Sequence, residues 1–417
     1  MFFKKVGVIG LGRSGWAATQ LLRARGVDVE VSDCSESKDI AEKAEILQEQ
    51  GIRVELGRHS RGFIQNKNLI VVSPGVHNPL VSLWAKQENI PLISEIELGY
   101  YFCHAPIIAI SGTNGKTTTA TLIESLLKNA AKKVALCGNI GIPFSQIVSE
   151  NNYEIIVLEV SSFQLEKIDK FKPYISIILN ITPDHLDRYK TFEEYRRTKY
   201  RIFENQGEGD WVIIGSKLQA PSSKPKNKSP QILYLDEEDG NKQAVRLVGE
   251  ILKIKKEIVD RTLKEFKGLE HRLEYLGRAR GIRFINDSKA TNVDSVRYAL
   301  QKLSPWVILI LGGRDKGGDF GALRSLIEKK VKKLLLIGEA REKIKNQLAG
   351  VKPIKEANSL EGAFNLACQA AEKGDTVLLS PGCASFDMFA NFEQRGKEFR
   401  KLVKDVHLTS TPGVEGG

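Results

Sequence analysis

The sequence predicts an α/β protein of three successive domains, each built on a mostly parallel sheet. Three observations predict it. Short apolar strands alternate with helix-patterned stretches along the chain. Two glycine loops, "GLGRSG" at Gly10–Gly15 and "SGTNGKTT" at Ser111–Thr118, each join a strand to a helix. Polar residues collect just past the ends of several strands, where open α/β sheets hold their ligands. A chain of 417 residues has room for two or three domains of roughly 100–200 residues each.

The first segment opens with the strand "VGVIG" (Val6–Gly10), a glycine turn, a helix pattern to about Arg25 and the strand "VDVEVSD". "LIVVSPGV" (Leu69–Val76) is a later buried strand ending in a Ser-Pro-Gly turn. A second segment starts near Ser94. In it, "PIIAISGTNGKTTTATLIESLLKNA" runs strand, loop, helix, and Leu122, Ile123, Leu126 and Leu127 form the apolar face of the helix. "YEIIVLEVSSFQLE" and "YISIILNITPDHLDRY" are two more buried strands. From about Ser216 to Gly240 the periodicity fades, and the basic stretch Ser222–Lys228 is expected as loop. A third α/β segment starts around Arg272, with strands in "GIRFINDSKATN", "PWVILILGGRDKGGDF", "VKKLLLIGE" and "DTVLLSPGCASFDMF". The expected domains are a Rossmann-like 1–94, a P-loop-type 95–268 and a second Rossmann-like 269–417.

Composition narrows the class. With 41% hydrophobic and 27% charged residues the chain is globular, and no apolar run approaches the roughly 20 residues a membrane helix needs. The N-terminus enters a strand without a cleavable leader pattern, so a cytoplasmic protein is expected. Five cysteines, Cys34, Cys103, Cys137, Cys368 and Cys383, form no Cys-x-x-Cys pair. They are expected as small buried side chains rather than as disulfides or zinc ligands. The net charge of +11 is spread among nearly as many acids, so anionic small substrates explain it as well as nucleic acid does. A Lys/Glu-rich thermophile surface is a further account.

"GLGRSG" fits G-x-G-x-x-G, and Asp33 ends the next strand where a dinucleotide fold has its ribose-binding acid. The pattern reports a diphosphate on a helix N-terminus, where N–H groups and the dipole favour an anion; it does not name the base. Close helix–strand packing alone would also ask for these glycines. In "SGTNGKTT", Gly115, Lys116 and Thr117 match the end of G-x-x-x-x-G-K-[ST], while Ile110 stands where the first glycine belongs and Gly112 supplies the freedom instead. Backbone N–H groups there cradle phosphates, Lys116 reaches terminal phosphates and the Thr117 hydroxyl suits Mg²⁺. Glu159 and His185 follow strands on the same side and are candidate metal ligands, although a lone Glu or His at a strand end is more often solvated or a cap.

Together, "GTNGKTT", "NIG" (Asn139–Gly141), "LEVSSFQLE", "LNITPDHLDRY", "YRRTKYRIFEN", "HRLE", "NDSKATN", "LGGRDKG" and "LLSPGCASFDMFANFEQRG" resemble the Mur ligases, ATP-dependent amide-forming enzymes of peptidoglycan synthesis. The last of these runs and "DSKATN" resemble the branch that adds D-glutamate. The resemblance spans nearly the whole chain. It implies that ATP phosphorylates the carboxylate of UDP-N-acetylmuramoyl-L-alanine and that the amine of D-glutamate attacks the acyl phosphate. It also implies that Gly112, Thr113, Asn114, Gly115, Lys116, Thr117 and Thr118 hold ATP, with Arg272 and Asp287 on the nucleotide. Two Mg²⁺ ions are implied on Thr117, Glu159, His185 and Lys199, the last as a carbamate. Ser14, Asp33, Ser73 and Gly75 would hold the uridine diphosphate part and Asn139 the muramoyl part. Arg188, Lys289, Thr291, Lys316, Ser385 and Phe392 would position D-glutamate. A monomer that closes around its ligands is expected, with no nucleic-acid partner and no membrane insertion.

The chain departs from the family pattern at one point. An "HN-x-x-N-A" helix start is replaced by "GNKQAVRLVGEIL" (Gly240–Leu252), where Asn241 is the candidate for the first asparagine and the second is missing. Gly215–His271 is also shorter than the family norm, and Cys34 and Ser35 differ from some relatives. Other classes explain less. A nicotinamide-dependent oxidoreductase leaves Lys116, Glu159 and His185 unused. A folylpolyglutamate-synthase-like ligase starts with its ATPase and lacks the "GLGRSG" domain. A nucleic-acid-binding protein predicts salt-dependent retention on DNA and no ATP turnover.

Overall fold

Runs of Val, Ile and Leu become the central strands because helices cover both faces of the parallel sheets, so these strands are buried along most of their length while edge strands are not. The computed structural model describes residues 3–150, 152–218, 229–236 and 239–409. Strands β1 (Lys5–Ile9), β2 (Asp28–Asp33), β3 (Val54–Leu56), β4 (Leu69–Val72) and β5 (Leu92–Ser94) form an all-parallel sheet in the order β3-β2-β1-β4-β5. Strands β6 (Ile107–Ser111), β7 (Val134–Gly138), β8 (Ile155–Glu159), β9 (Ile175–Ile178), β10 (Trp211–Gly215) and β11 (Gln231–Leu235) form a second, ordered β11-β10-β9-β6-β8-β7 and also all parallel. The third holds β12 (Glu274–Ala279), β13 (Ile282–Asn286), β14 (Val307–Gly312), β15 (Val331–Ile337), β16 (Ile354–Glu356) and β17 (Thr376–Leu379). Its order is β12-β13-β17-β14-β15-β16, with only β12 antiparallel.

The chain divides into two compact units, 1–181 with 193–266, and 182–192 with 267–417. The first carries two sheets and the second carries one. Leu122, Ile123, Leu126 and Leu127 are all buried on the helix Lys116–Asn129, as their spacing requires. One expectation needs correction, that of the cysteines. Where the periodicity fades, Gln231–Leu235 is an edge strand, apolar from Ile232 to Leu235 but with only Leu235 buried. The basic stretch 222–228 lies outside the described residues. Cys34 is exposed, not buried, while the other four cysteines are buried or half-buried and all five are free thiols. Among the described residues no helix is long and apolar enough to cross a membrane.

Within the first unit, two buried carboxylates join one sheet to the next. Helix Glu95–Phe102 starts where β5 ends, capped by Ser94 Oγ, which accepts from the Glu97 N–H. Glu97 is fully buried and accepts three successive backbone N–H groups, from Asp169, Lys170 and Phe171, at 2.8–2.9 Å. Glu95 accepts the Ser145 N–H at 2.6 Å, and burial holds its carboxyl above the usual range. Removing the Glu97 carboxylate strands three buried donors. Glu97→Ala is therefore expected to cost about 3 kcal/mol. A urea-denaturation midpoint equal to that of the wild type would contradict this account.

Candidate active site

The phosphate loop takes its shape from two glycines and one asparagine. Gly112 (φ +142°) and Gly115 (φ +87°) sit where side chains are disfavoured, and Gly115 precedes the first residue of helix Lys116–Asn129. Asn180, just past β9, pins the loop: its Oδ1 accepts the Asn114 N–H at 2.9 Å, its Nδ2 donates to Asn114 O at 3.1 Å, and its backbone carbonyl accepts the Thr113 N–H. Lys116 folds back, its ammonium donating to the carbonyls of Gly112 (2.9 Å) and Thr113 (2.8 Å). Lys199, 2% exposed, donates to the same Gly112 oxygen at 2.9 Å and stands 4.9 Å from the centre of the Tyr195 ring. Tyr195 Oη in turn lies 3.1 Å from Thr113 Oγ1. Thr117 and Thr118 follow in the first helical turn, and Thr118 Oγ1 is buried with no hydrogen-bond partner.

Two strand ends beside the loop carry Glu159 and Asn139. Glu159 ends β8 and is 1% exposed. Its Oε1 accepts from Asn139 Nδ2 at 2.8 Å, and its Oε2 is buried without a hydrogen-bond partner. A buried carboxylate oxygen without a donor suits a hard cation, and Mg²⁺ typically binds one or two carboxylates and completes its shell with phosphate and water. The residues therefore fit Mg²⁺. Among the described residues no group of three or more His, Cys, Asp and Glu side chains forms a metal cage by itself.

The first glycine loop is equally built. Gly10 (φ +91°) turns the chain after β1, and a Cβ on Gly15 would overlap the Gly10 carbonyl. Ser73 Oγ donates to that carbonyl at 3.2 Å, with Gly75 two residues further on in the same turn. Asp33 uses both oxygens locally, accepting the N–H groups of Leu11 (2.6 Å) and Ser35 (2.7 Å). Ser14 lies in the first turn of helix Arg13–Ala24.

The second unit gathers the remaining candidates. The segment 182–192, with His185 (φ +55°) and Arg188, belongs to this unit, whereas Glu159 and Lys199 belong to the first. Asp184 accepts from Asn292 Nδ2 at 3.1 Å and lies 3.7 Å from the Lys316 ammonium. Asp287 accepts from Ser380 Oγ at 2.8 Å and from the Leu273 N–H at 3.1 Å. Lys289 stands 5.1 Å from the centre of the Phe392 ring, and Thr291 lies two residues beyond it. Ser385 is buried in the turn after β17. Arg272 has a buried Nε with no hydrogen-bond partner and draws the Asp287 carboxyl toward its charged form.

Sequence reasoning did not single out Asn180, Tyr195, Asp184 or Arg395. Arg395 is 1% exposed and its guanidinium donates to Ser288 Oγ, Ser288 O, Cys383 O and Ala384 O. It joins the loops that carry Lys289 and Ser385. The run "ANFEQRG" contains it, but only the fold brings residues 288, 383 and 395 together. Asn241 is positioned at the phosphate loop: its Oδ1 accepts from Thr119 Oγ1 at 3.2 Å and faces Gly115. Gln243, two residues on, exchanges hydrogen bonds with Asp236 just after β11.

A glycine loop at a helix start on each of two parallel sheets, with a third sheet after them, defines an α/β protein of the nucleotide-binding class. Three family models match in succession: the Mur ligase MurD-like N-terminal domain over residues 4–94, the Mur ligase middle domain over 110–278, and the Mur ligase glutamate ligase domain over 271–383. The chain belongs to the Mur ligase family. It is 39% identical to a UDP-N-acetylmuramoylalanine--D-glutamate ligase of Koribacter versatilis over 445 aligned residues, covering 97% of this chain and 98% of that one. It is 40% identical to the protein of the same name from Caldanaerobacter subterraneus subsp. tengcongensis, again covering 97% and 98%. In fold it resembles the UDP-N-acetylmuramate-alanine ligase of Thermotoga maritima, with a TM-score of 0.56, 19% identity and 97% and 99% of the two chains covered.

Asp287 yields a pH prediction. Burial, against the pull of Ser380, Arg272 and the Leu273 N–H, raises its carboxyl from 3.8 to about 6. The folded state thus holds the proton more tightly than the unfolded chain, so this contribution is fully present below pH 3.8 and is lost as pH rises through about 6. Asp287→Asn should remove that slope in urea-denaturation free energies measured across this range. Parallel profiles for variant and wild type would contradict it.

Proposed function

We propose that the protein joins D-glutamate to UDP-N-acetylmuramoyl-L-alanine at the expense of ATP, in peptidoglycan precursor synthesis. The observation that carries this reading is the convergence of Lys116 and Lys199 on the Gly112 carbonyl, beside a buried Glu159 oxygen that lacks a donor. Two ammonium groups on one oxygen, held within roughly 6 Å, repel each other by ~3 kcal/mol at an effective dielectric of about 20. Terminal phosphates beside Lys116 would relieve this, and so would carbamylation of Lys199, which turns a cation into an anionic oxygen ligand.

A carboxylate resists attack by an amine at neutral pH. Transfer of the terminal phosphoryl group to the L-alanine carboxylate gives an acyl phosphate and ADP. The D-glutamate nitrogen then attacks the acyl carbon, and phosphate leaves as the amide forms. This chain's residues orient and neutralise rather than react. Gly112–Thr118 cradle the phosphates, and Lys116 turns outward from its loop carbonyls to meet the terminal one. Thr117, Glu159, His185 and a carbamylated Lys199 are the residues that would hold Mg²⁺, two ions in all, and the metal would supply positive charge against the transferring phosphoryl group. Arg272 and Asp287 contact the nucleotide, and Asn139 the muramoyl part. The turn at Gly10–Gly15, with Asp33, Ser73 and Gly75, receives the uridine diphosphate. Lys289, Thr291, Lys316, Ser385, Phe392 and Arg188 receive D-glutamate, whose two carboxylates call for cations and hydroxyls. Domain boundaries near 94 and 268, a monomeric state and a cytoplasmic location complete the proposal.

Purified protein with Mg²⁺ and bicarbonate should release ADP only when UDP-N-acetylmuramoyl-L-alanine and D-glutamate are both present. ADP release with other amino acids but not with D-glutamate would overturn the assignment. Lys116→Ala should lower kcat by roughly 100-fold or more, as expected when a charge that stabilises the transition state is removed.

A further inference from the structure

We propose that Arg13 is a positioning residue that couples recognition of the substrate's diphosphate to the loop carrying Asn139. The inference rests on the reading that the first glycine loop receives a nucleoside diphosphate.

Arg13 is the first residue of helix Arg13–Ala24, whose first turn holds no acidic residue and whose start has no side-chain cap. A cation at a helix N-terminus opposes the helix dipole, so an arginine there is unfavourable unless an anion shares the site. Arg13 is exposed, yet it does not simply extend into solvent. Its Nη1 donates to the Gly141 carbonyl at 3.2 Å, across 128 positions of sequence.

Gly141 (φ +63°) belongs to the short loop after β7, closed by the Gly138 N–H donating to Ile142 O at 2.9 Å. The other end of that loop is tied to β8. The Asn139 N–H donates to Glu159 O at 2.9 Å, and Asn139 Nδ2 donates to Glu159 Oε1 at 2.8 Å. Loop 139–141 is therefore held at one end by Glu159 and at the other by Arg13. Glu159 Oε2, buried and without a hydrogen-bond partner, marks a ligand position at the far end of this relay.

Guanidinium suits the task because its planar fork carries five N–H donors. One reaches Gly141 O, and others can meet phosphate oxygens at the turn where Arg13 begins the helix. A bound diphosphate neutralises the cation and restricts its rotamers, which fixes the tether to Gly141. The loop then presents Asn139 and Glu159 in one arrangement. Binding energy from the remote diphosphate is in this way expressed at the reacting end, in kcat as well as in KM.

The test compares wild type, Arg13→Ala and Arg13→Lys by steady-state kinetics with UDP-N-acetylmuramoyl-L-alanine, and by calorimetric titration with UDP. Arg13→Ala should raise KM for the sugar nucleotide roughly tenfold, the loss expected for one charge-assisted hydrogen bond, and lower kcat severalfold. KM values for ATP and D-glutamate should stay near those of the wild type. Arg13→Lys restores the charge but not the fork, so it should recover KM and UDP affinity while kcat stays low. The inference is overturned if Arg13→Ala keeps wild-type KM and kcat, or if KM rises while kcat is unchanged. It is also overturned if both variants lose activity equally with a lowered melting temperature. If the wild type neither binds UDP nor turns over the sugar nucleotide, the diphosphate reading itself falls, and this inference with it.

Discussion

One carbonyl oxygen, that of Gly112, accepts two lysine ammonium groups, and the centre of the first unit is organised around it. An oxygen can take both because it has two lone pairs. Gly112 carries it at a φ of +142°, a backbone conformation that side chains disfavour. Lys116 comes from the helix after the loop, and Lys199 from a helix more than 80 residues further on. The two cations are thus brought within reach of each other on one oxygen.

The rest of the first unit keeps that oxygen where it is. Asn180 holds both sides of the Asn114 peptide, and Tyr195 connects Thr113 to the helix bearing Lys199. These contacts exist because β6, β8 and β9 are parallel neighbours, so their C-terminal ends open on one side of the sheet. Glu97, with its three backbone donors, fixes the return of the chain from β8 toward β9. In the second unit Arg395 has an equivalent role. Burial lowers its guanidinium to about 10, and four carbonyl and hydroxyl contacts join two loops to its own helix.

What could be read from the sequence was local. The phosphate loop is legible because Gly112, Gly115, Lys116 and Thr117 act through their own backbone and first helical turn. Glu159 is visible in the sequence as a polar residue ending an apolar strand, a position more often solvated or capping; its burial to 1% exposure became visible only in the fold. Edge strands were not legible: β12 and β16 leave most of their residues partly exposed and lack the apolar run that marks β8 or β14, while the short apolar run of β11 is embedded in a stretch rich in Pro, Ser, Lys and Asp. Arg395 and Asn180 act between segments far apart in sequence, and no spacing rule signals such a role. Asp33 showed a third limit. Its position at the end of β2 fits the expectation of a ribose-binding acid, but its two oxygens also accept the backbone N–H groups of Leu11 and Ser35.

The helix Gly240–Ile251 begins hard against the phosphate loop, with Asn241 Oδ1 2.6 Å from where a Cβ on Gly115 would stand. The alignments with relatives span more positions than this chain has residues, so the relatives carry segments that it lacks. Asn241 sets a limit on where such length can change. An insertion between Asn241 and Ala244 would rotate the buried face of the helix, with Ala244, Val245 and Val248, away from the core while Asn241 stays at Gly115. The register of a whole helix is thus held by a contact of one side chain with one glycine.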